Sequence, residues 1–220
     1  MAQPDNPHDL CTWRDGEQCR ACGIQGLLKC RHSYADLLAF GLMSFTGLLS
    51  AGIGMYRAGY GWWILVWAAF ALFFFNVWES KILCSHCPFY ARTGKTLACL
   101  ANHGCIKIWK YNPAPMSRWE QTQFFIGAFI LVAMPLPFLI LGKQWLFLGL
   151  TALGLAAWTV NTQRNVCSAC VNFSCPGNRV PKPVVDAYLS RNPIMREAWL
   201  AAGYRLDSGT SGRISPTNRI

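Results

Sequence analysis

Residues 62–75 read WWILVWAAFALFFF, a run with no charged residue and no polar stripe. A helix of this length in water carries a polar stripe along its outer face. This one does not, so the solvent it is built for is hydrocarbon. Working outward, the stretch extends to a span at 61–78, and three more spans of the same character lie at 34–55, 124–141 and 145–160. Each approaches the roughly 20 helical residues needed to cross a hydrocarbon core of about 30 Å. None has a charge in its interior. Trp62, Trp63, Trp78, Trp119, Trp145 and Trp158 stand near the ends, where an aromatic belt meets the headgroups. The pattern predicts an all-α polytopic membrane protein with four transmembrane helices in two hairpins, 34–78 and 118–161.

Local signals mark individual helices. Ser33-Tyr34-Ala35-Asp36 and Ser117-Arg118-Trp119-Glu120 both have the spacing of a capping box. Pro135 and Pro137 predict a kink or local unwinding in the third span. Gly41, Ser44, Gly47, Ala51 and Gly54 give the first span small residues that let a neighbouring helix approach closely. The two halves share a plan: a cysteine segment, a Ser-capped helix, a short turn, a second helix with Asn76 or Asn161 at its end, then Cys84-Ser-His-Cys87 or Cys167-Ser-Ala-Cys170. This is the pattern of a parallel repeat about an axis along the membrane normal. In such a repeat the two Cys-Ser-x-Cys turns leave equivalent helices and face each other.

The short turns between spans one and two and between three and four carry only Arg57 and Lys143 of the twenty Lys and Arg. The positive-inside rule puts the other face, with both termini, in the cytoplasm, as in a multi-pass protein of the cell's inner membrane. No apolar leader of the secretory type precedes the first span. The net charge of +10 fits a basic face against anionic lipid. Nucleic acid is not an expected partner, since no recognition motif is present. The chain divides into a cytoplasmic cysteine-rich segment at 1–33, the hairpin 34–78, a cysteine-rich loop at 79–117, the hairpin 118–161, a third cysteine segment with amphipathic helices at 162–207, and a disordered tail at 208–220. Two short helices are expected in the fifth part, at 183–190 and from Pro193, capped by Asn192, to near Gly203. Ile194, Met195, Trp199 and Leu200 would line one side of the second. That helix would lie on the membrane or cover the cysteines.

All eleven cysteines fall on one side of the spans: Cys11, Cys19, Cys22 and Cys30; Cys84, Cys87, Cys99 and Cys105; Cys167, Cys170 and Cys175. A reducing cytosol makes so dense a set metal-binding rather than disulfide-bonded. Cys-x2-Cys brings two thiolates onto one tight turn, and three such pairs occur, 19/22, 84/87 and 167/170. Zinc and iron–sulfur clusters both accept four thiolates. Cys87-Pro88 and Cys175-Pro176, with irregular spacing between cysteines, favour [4Fe-4S]-type iron–sulfur clusters. Cys19-Arg-Ala-Cys22-Gly23 has the look of a zinc knuckle. The N-terminal four cysteines form one set. The rest group sequentially, as 84, 87, 99 and 105 with 167, 170 and 175 one ligand short, or symmetrically, as 84, 87, 167 and 170 with 99, 105 and 175, joined by His103. His103 reads otherwise as a solvated loop residue. His86 would point away from a metal or donate to a cluster sulfur.

Cysteine-held clusters at a membrane face predict electron transfer between a soluble cytoplasmic partner and a membrane acceptor such as quinone, within a complex of several subunits. In outline the arrangement is similar to the membrane polyferredoxin subunits of quinol dehydrogenases, although their contiguous C-x2-C-x2-C-x3-C-P run is absent here. The spans hold no histidine for haem and no ionisable residue for ion passage. Glu79 reads as an interfacial carboxylate without a partner. The other reading is a zinc-stapled membrane scaffold without redox chemistry.

Overall fold

The computed structural model describes residues 5–14, 19, 22–99 and 101–207. Among these the regular elements are helical, and the extended backbone pairs only at an isolated bridge between Thr96 and Ile106. Four helices are long and apolar enough to cross a membrane: α1 (Tyr34–Arg57), α2 (Gly61–Ile82), α3 (Arg118–Leu141) and α4 (Trp145–Asn165). Their outer faces are apolar, with Leu42, Leu65, Leu72, Phe129, Leu146 and Leu153 all well exposed. Water would not tolerate so continuous a patch, whereas lipid does. The chain is built as a multi-pass membrane protein.

Small residues set the bundle. α1 and α4 make the most extensive helix contact, with Gly47 against Gly154. A Cβ at Gly154 would stand 2.8 Å from the Gly47 Cα, closer than atoms pack. Ala51 and Gly54 continue the seam, while Gly41 faces open space. The expected break in α3 falls between Arg118–Ala133 and Leu136–Leu141. Pro135 has no N–H to give the carbonyl four residues back, that of Leu131. The Trp67 indole of α2 donates to that carbonyl instead, at 2.8 Å. A backbone group that hydrocarbon would leave bare is thereby satisfied.

Two capping predictions came out differently. Ser117 completes its box: its Oγ accepts from the Glu120 amide at 3.2 Å, and Glu120 accepts from the Ser117 amide at 2.7 Å. Helix α3 therefore starts at Arg118, well before the apolar run at 124. Ser33 accepts from the Asp36 amide at 3.4 Å, but the Asp36 carboxylate pairs with Lys29 at 2.5 Å rather than closing the box. Lys29 is held nearby because its own amide donates to Ala169 at 2.7 Å.

Helix α2 contains a π-helical turn, Phe74–Trp78. Phe74 is buried, and its ring fills the space left by Gly127 on α3. A π turn adds a residue to the helix and re-aims the side chains after it by about 100°. Glu79 and Ser80 follow it directly, and both are buried.

Outside the bundle, the three cysteine segments pack around one apolar core with α5 (Lys182–Ser190) and α6 (Pro193–Ala201). Leu10, Val171, Tyr188, Leu189 and Met195 are essentially sealed from solvent, each worth roughly 1.5–3 kcal/mol in transfer. Met195 and Trp199 of α6 face inward while Ile194 and Leu200 face out, so its apolar side is narrower than expected. Asn192 does not cap α6 with its side chain. The expected tail at 208–220 lies outside the described residues.

Candidate metal centres

Cys11, Cys19, Cys22 and Cys30 line one cavity of about 270 Å³ with Arg14, Ile24 and Arg191. The segment that carries Cys11 is short and gains its shape from partners far along the chain. Asn6 closes a loop onto the Leu10 amide and carbonyl, both at 2.9 Å. Asn192, fully buried, accepts from the Cys11 amide at 2.7 Å and donates to Cys11 Sγ at 3.2 Å. Thr12 and Tyr188 join hydroxyls at 2.6 Å. Arg191 donates to Cys22 Sγ, and Arg31 lies 3.6 Å from Cys19 Sγ. The Cys22 amide donates to the Cys19 carbonyl at 3.0 Å. The knuckle's central residues, 20 and 21, lie outside the described residues.

The other seven cysteines share a second site. Cys84 and Cys167 open 3₁₀ turns directly after α2 and α4, Cys84–His86 and Cys167–Ala169. The turns are near copies. Leu83 and Val166 have φ/ψ of −118/−54° and −111/−57°, and Cys87 and Cys170 have −83/136° and −77/133°. Ser85 donates to the Lys81 carbonyl at 2.5 Å and Ser168 to that of Arg164 at 2.6 Å. The Asn172 side chain ties one turn to the other by donating to Leu83 at 3.2 Å. Cys99 and Cys105 arrive on a loop folded back on itself, with the Leu97 amide donating to Cys105 at 2.9 Å. A Cβ on Gly177 would lie 3.7 Å from the sulfurs of both Cys167 and Cys175, so this glycine keeps the space beside them open. Cys87 feels the charge of Cys170, Cys99 and Cys175, and Cys170 that of Cys175, Cys167 and Cys99. The middle and C-terminal cysteines interleave, while Cys30 feels Cys11, Cys22 and Cys19. The N-terminal four stand apart, as the sequence grouping has them.

All eleven cysteines are free thiols. The Asn172 amide donates to Cys170 Sγ at 3.4 Å, and the Asn102 side chain donates to Cys84 Sγ at 3.3 Å. The Asn102 amide adds a bond to Cys99 Sγ at 3.0 Å. Burial pushes Cys30 and Cys170 up to about 12, Cys99 and Cys175 up to about 11, and Cys84 and Cys87 well above the ordinary thiol value. Thiols so placed are neutral near pH 7 unless a cation holds the thiolate. The N–H groups aimed at sulfur suit that anionic form better than a bare thiol, a weak acceptor.

No family model, curated protein or solved structure matches this chain. The chemistry of the two sites therefore has to speak for itself. Among the described residues, no three His, Cys, Asp or Glu side chains are arranged to hold a metal ion. A tetrahedral zinc with Zn–S near 2.3 Å would draw its sulfurs to about 3.8 Å from one another. A polynuclear cluster binds each thiolate to a different iron and keeps the sulfurs farther apart. The four-cysteine cavity of about 270 Å³ is open on one side, and its four thiols surround room for a group of several atoms.

His86 follows the first of its two readings and gives the sulfurs nothing: Nδ1 lies 2.6 Å from the Ala114 carbonyl and Nε2 3.3 Å from Glu120, tying the loop to the start of α3. His103 is partly exposed, with its Nδ1 buried and unpaired. It stacks on His32 with ring centres 4.2 Å apart, and His32 Nδ1 lies 3.0 Å from the Cys99 carbonyl. Glu79, expected at an interface, is buried. Sequence pattern gave no sign of the Asn192 and Arg191 contacts to sulfur, because only the docking of α5 and α6 creates them.

Proposed function

We propose that this chain is a membrane-bound iron–sulfur electron-transfer protein, with its cysteine body and both termini on the cytoplasmic side of the inner membrane. The observation that carries the reading is the set of N–H groups of Asn102, Asn172, Arg191 and Asn192 that donate to free cysteine sulfurs in two adjoining sites at one end of a membrane bundle. When bound, [4Fe-4S] clusters supply one-electron carriers.

The residues define what the protein contributes. Cys11, Cys19, Cys22 and Cys30 hold one centre, and Cys84, Cys87, Cys99, Cys105, Cys167, Cys170 and Cys175 serve the second site. Hydrogen bonds from Asn192, Arg191 and the backbone amides favour the more negative state of the sulfurs and raise the potential at which it forms. Phe89, Tyr188 and Trp199 exclude water from the core between the segments. The two sites abut: the bond from Lys29 to Ala169, at 2.7 Å, joins the neighbour of Cys30 to the neighbour of Cys170. Electrons would pass from a soluble donor to a membrane acceptor such as quinone, with further subunits completing the complex.

The test is iron and acid-labile sulfide in full-length protein purified anaerobically in detergent. Iron with matching sulfide is the expected result. Zinc without sulfide overturns the reading and leaves a zinc-stapled scaffold in its place.

A further inference from the structure

Glu79 occupies the last turn of α2, immediately after the π turn. It is only 9% exposed, and its Oε2 has no hydrogen-bond partner. Among the described residues no Lys, Arg or His forms an ion pair with it. The Asn102 side chain lies beside it and donates to Cys84 Sγ at 3.3 Å. The groups that feel its charge are the thiols of Cys84, Cys99, Cys105 and Cys175. A carboxyl buried among thiols, with no cation, is costly as it stands. An ionisable group at such a depth calls for a named partner.

The second site is also short of a ligand. Four cysteines serve the first site and seven remain, whereas two four-ligand clusters take about eight donors. We propose that Glu79 is the missing donor, a carboxylate oxygen ligand that completes the seven-cysteine site beside Cys84, Cys99, Cys105 and Cys175. This inference rests on the iron–sulfur reading. Carboxylate is an established ligand for protein-bound iron, and the positive iron is the cation that the buried carboxylate lacks. The π turn has a role in the assignment, since it re-aims Glu79 away from lipid and into the cysteine body. The glycine at 177 leaves room beside Cys167 and Cys175 on the same site.

The experiment compares full-length wild type, Glu79→Gln and Glu79→Cys, each loaded anaerobically with iron and sulfide in detergent. Iron, sulfide and the electron paramagnetic resonance spectrum are read together. Glu79→Gln keeps shape and polarity but cannot bind as an anion, so it should lose about one cluster, roughly a third of the iron. Glu79→Cys should regain that iron with a changed spectrum, because a thiolate replaces the oxygen; this arm guards against a Gln variant that merely misfolds. Wild-type iron, sulfide and spectrum in Glu79→Gln would overturn the ligand and leave the electron-transfer reading intact. Failure of Glu79→Cys to regain iron also overturns it. Wild type without iron and sulfide overturns both.

Discussion

The two cysteine sites are built by opposite means. The four-cysteine cavity is made from the ends of the described chain, and side chains, Asn192, Arg191 and Arg31, reach its sulfurs. The seven-cysteine site stands on the ends of α2 and α4, and its sulfurs are reached by the Asn102 and Asn172 backbone amides and by the nearby Asn102 side chain. Cys84 and Cys87 of the second site are buried, whereas all four cysteines of the first are partly accessible. One site is anchored in the membrane bundle; the other is clasped by a cap of two short helices. Substitutions should therefore separate them.

The largest effect is expected from the cysteines themselves. Cys30→Ser should abolish the first centre and leave the spectrum of the second site unchanged, and Cys170→Ser should cost iron at the second site and spare the first. Cys87→Ser should reproduce the Cys170→Ser spectrum if these two residues hold the same cluster. Divergent losses from these two would place them on separate, sequentially grouped clusters of the seven-cysteine site.

Alkaline pH should come next, on metal-free protein. An unfolded thiol ionises near 9.0, while folded Cys30 and Cys170 hold their protons up to about 12. The folded state then binds more protons than the unfolded one, so stability falls as pH rises from about 9 to 12. Each such thiol contributes up to about 4 kcal/mol that is lost across that window. Thermal unfolding between pH 8 and 12 measures the loss, and it should be larger for the seven-cysteine site, where more of the raised thiols lie. A rise in stability across the window would reverse the sign and refute the burial argument.

Asn192→Leu should follow, at about 3 kcal/mol, since it strips a hydrogen bond from the Cys11 amide and leaves buried polar groups bare. Faster iron release from the first centre alone would show it. Release from both would mean that the cap holds the whole body together. Smallest is Trp67→Phe, at about 1–3 kcal/mol, which leaves the Leu131 carbonyl without its donor. Detergent-solubilised thermal stability should drop with the first centre's spectrum unaltered.

The spans were legible because lipid imposes a composition on every exposed position, and residues 62–75 obey it without exception. Helix starts were less so. The capping box at Ser117 was read correctly, yet the one at Ser33 lost its carboxylate to Lys29, a competitor placed by a contact with Ala169. The matching turns after α2 and α4 follow from the shared Cys-Ser-x-Cys, whereas spacing left two groupings open for the seven later cysteines, because their order along the chain does not say which loops fold together. Asn192 stands at the N-cap of α6 as read, but its side chain is drawn from capping to the amide of a residue 181 positions away. Glu79 was misread because nothing in the Phe-rich stretch before it signals a π turn.

The clasp between Cys11 and Asn192 also sets an order in time. Cys11 leaves the ribosome first, and the residue that fixes it lies 181 positions later, about 10 to 35 seconds at ordinary rates of synthesis. In that interval all four apolar helices must pass into the bilayer. A chain stopped before α5 should present Cys11 without its clasp and fail to retain the first centre. Retention of that centre would thus wait on the synthesis and docking of α5 and α6.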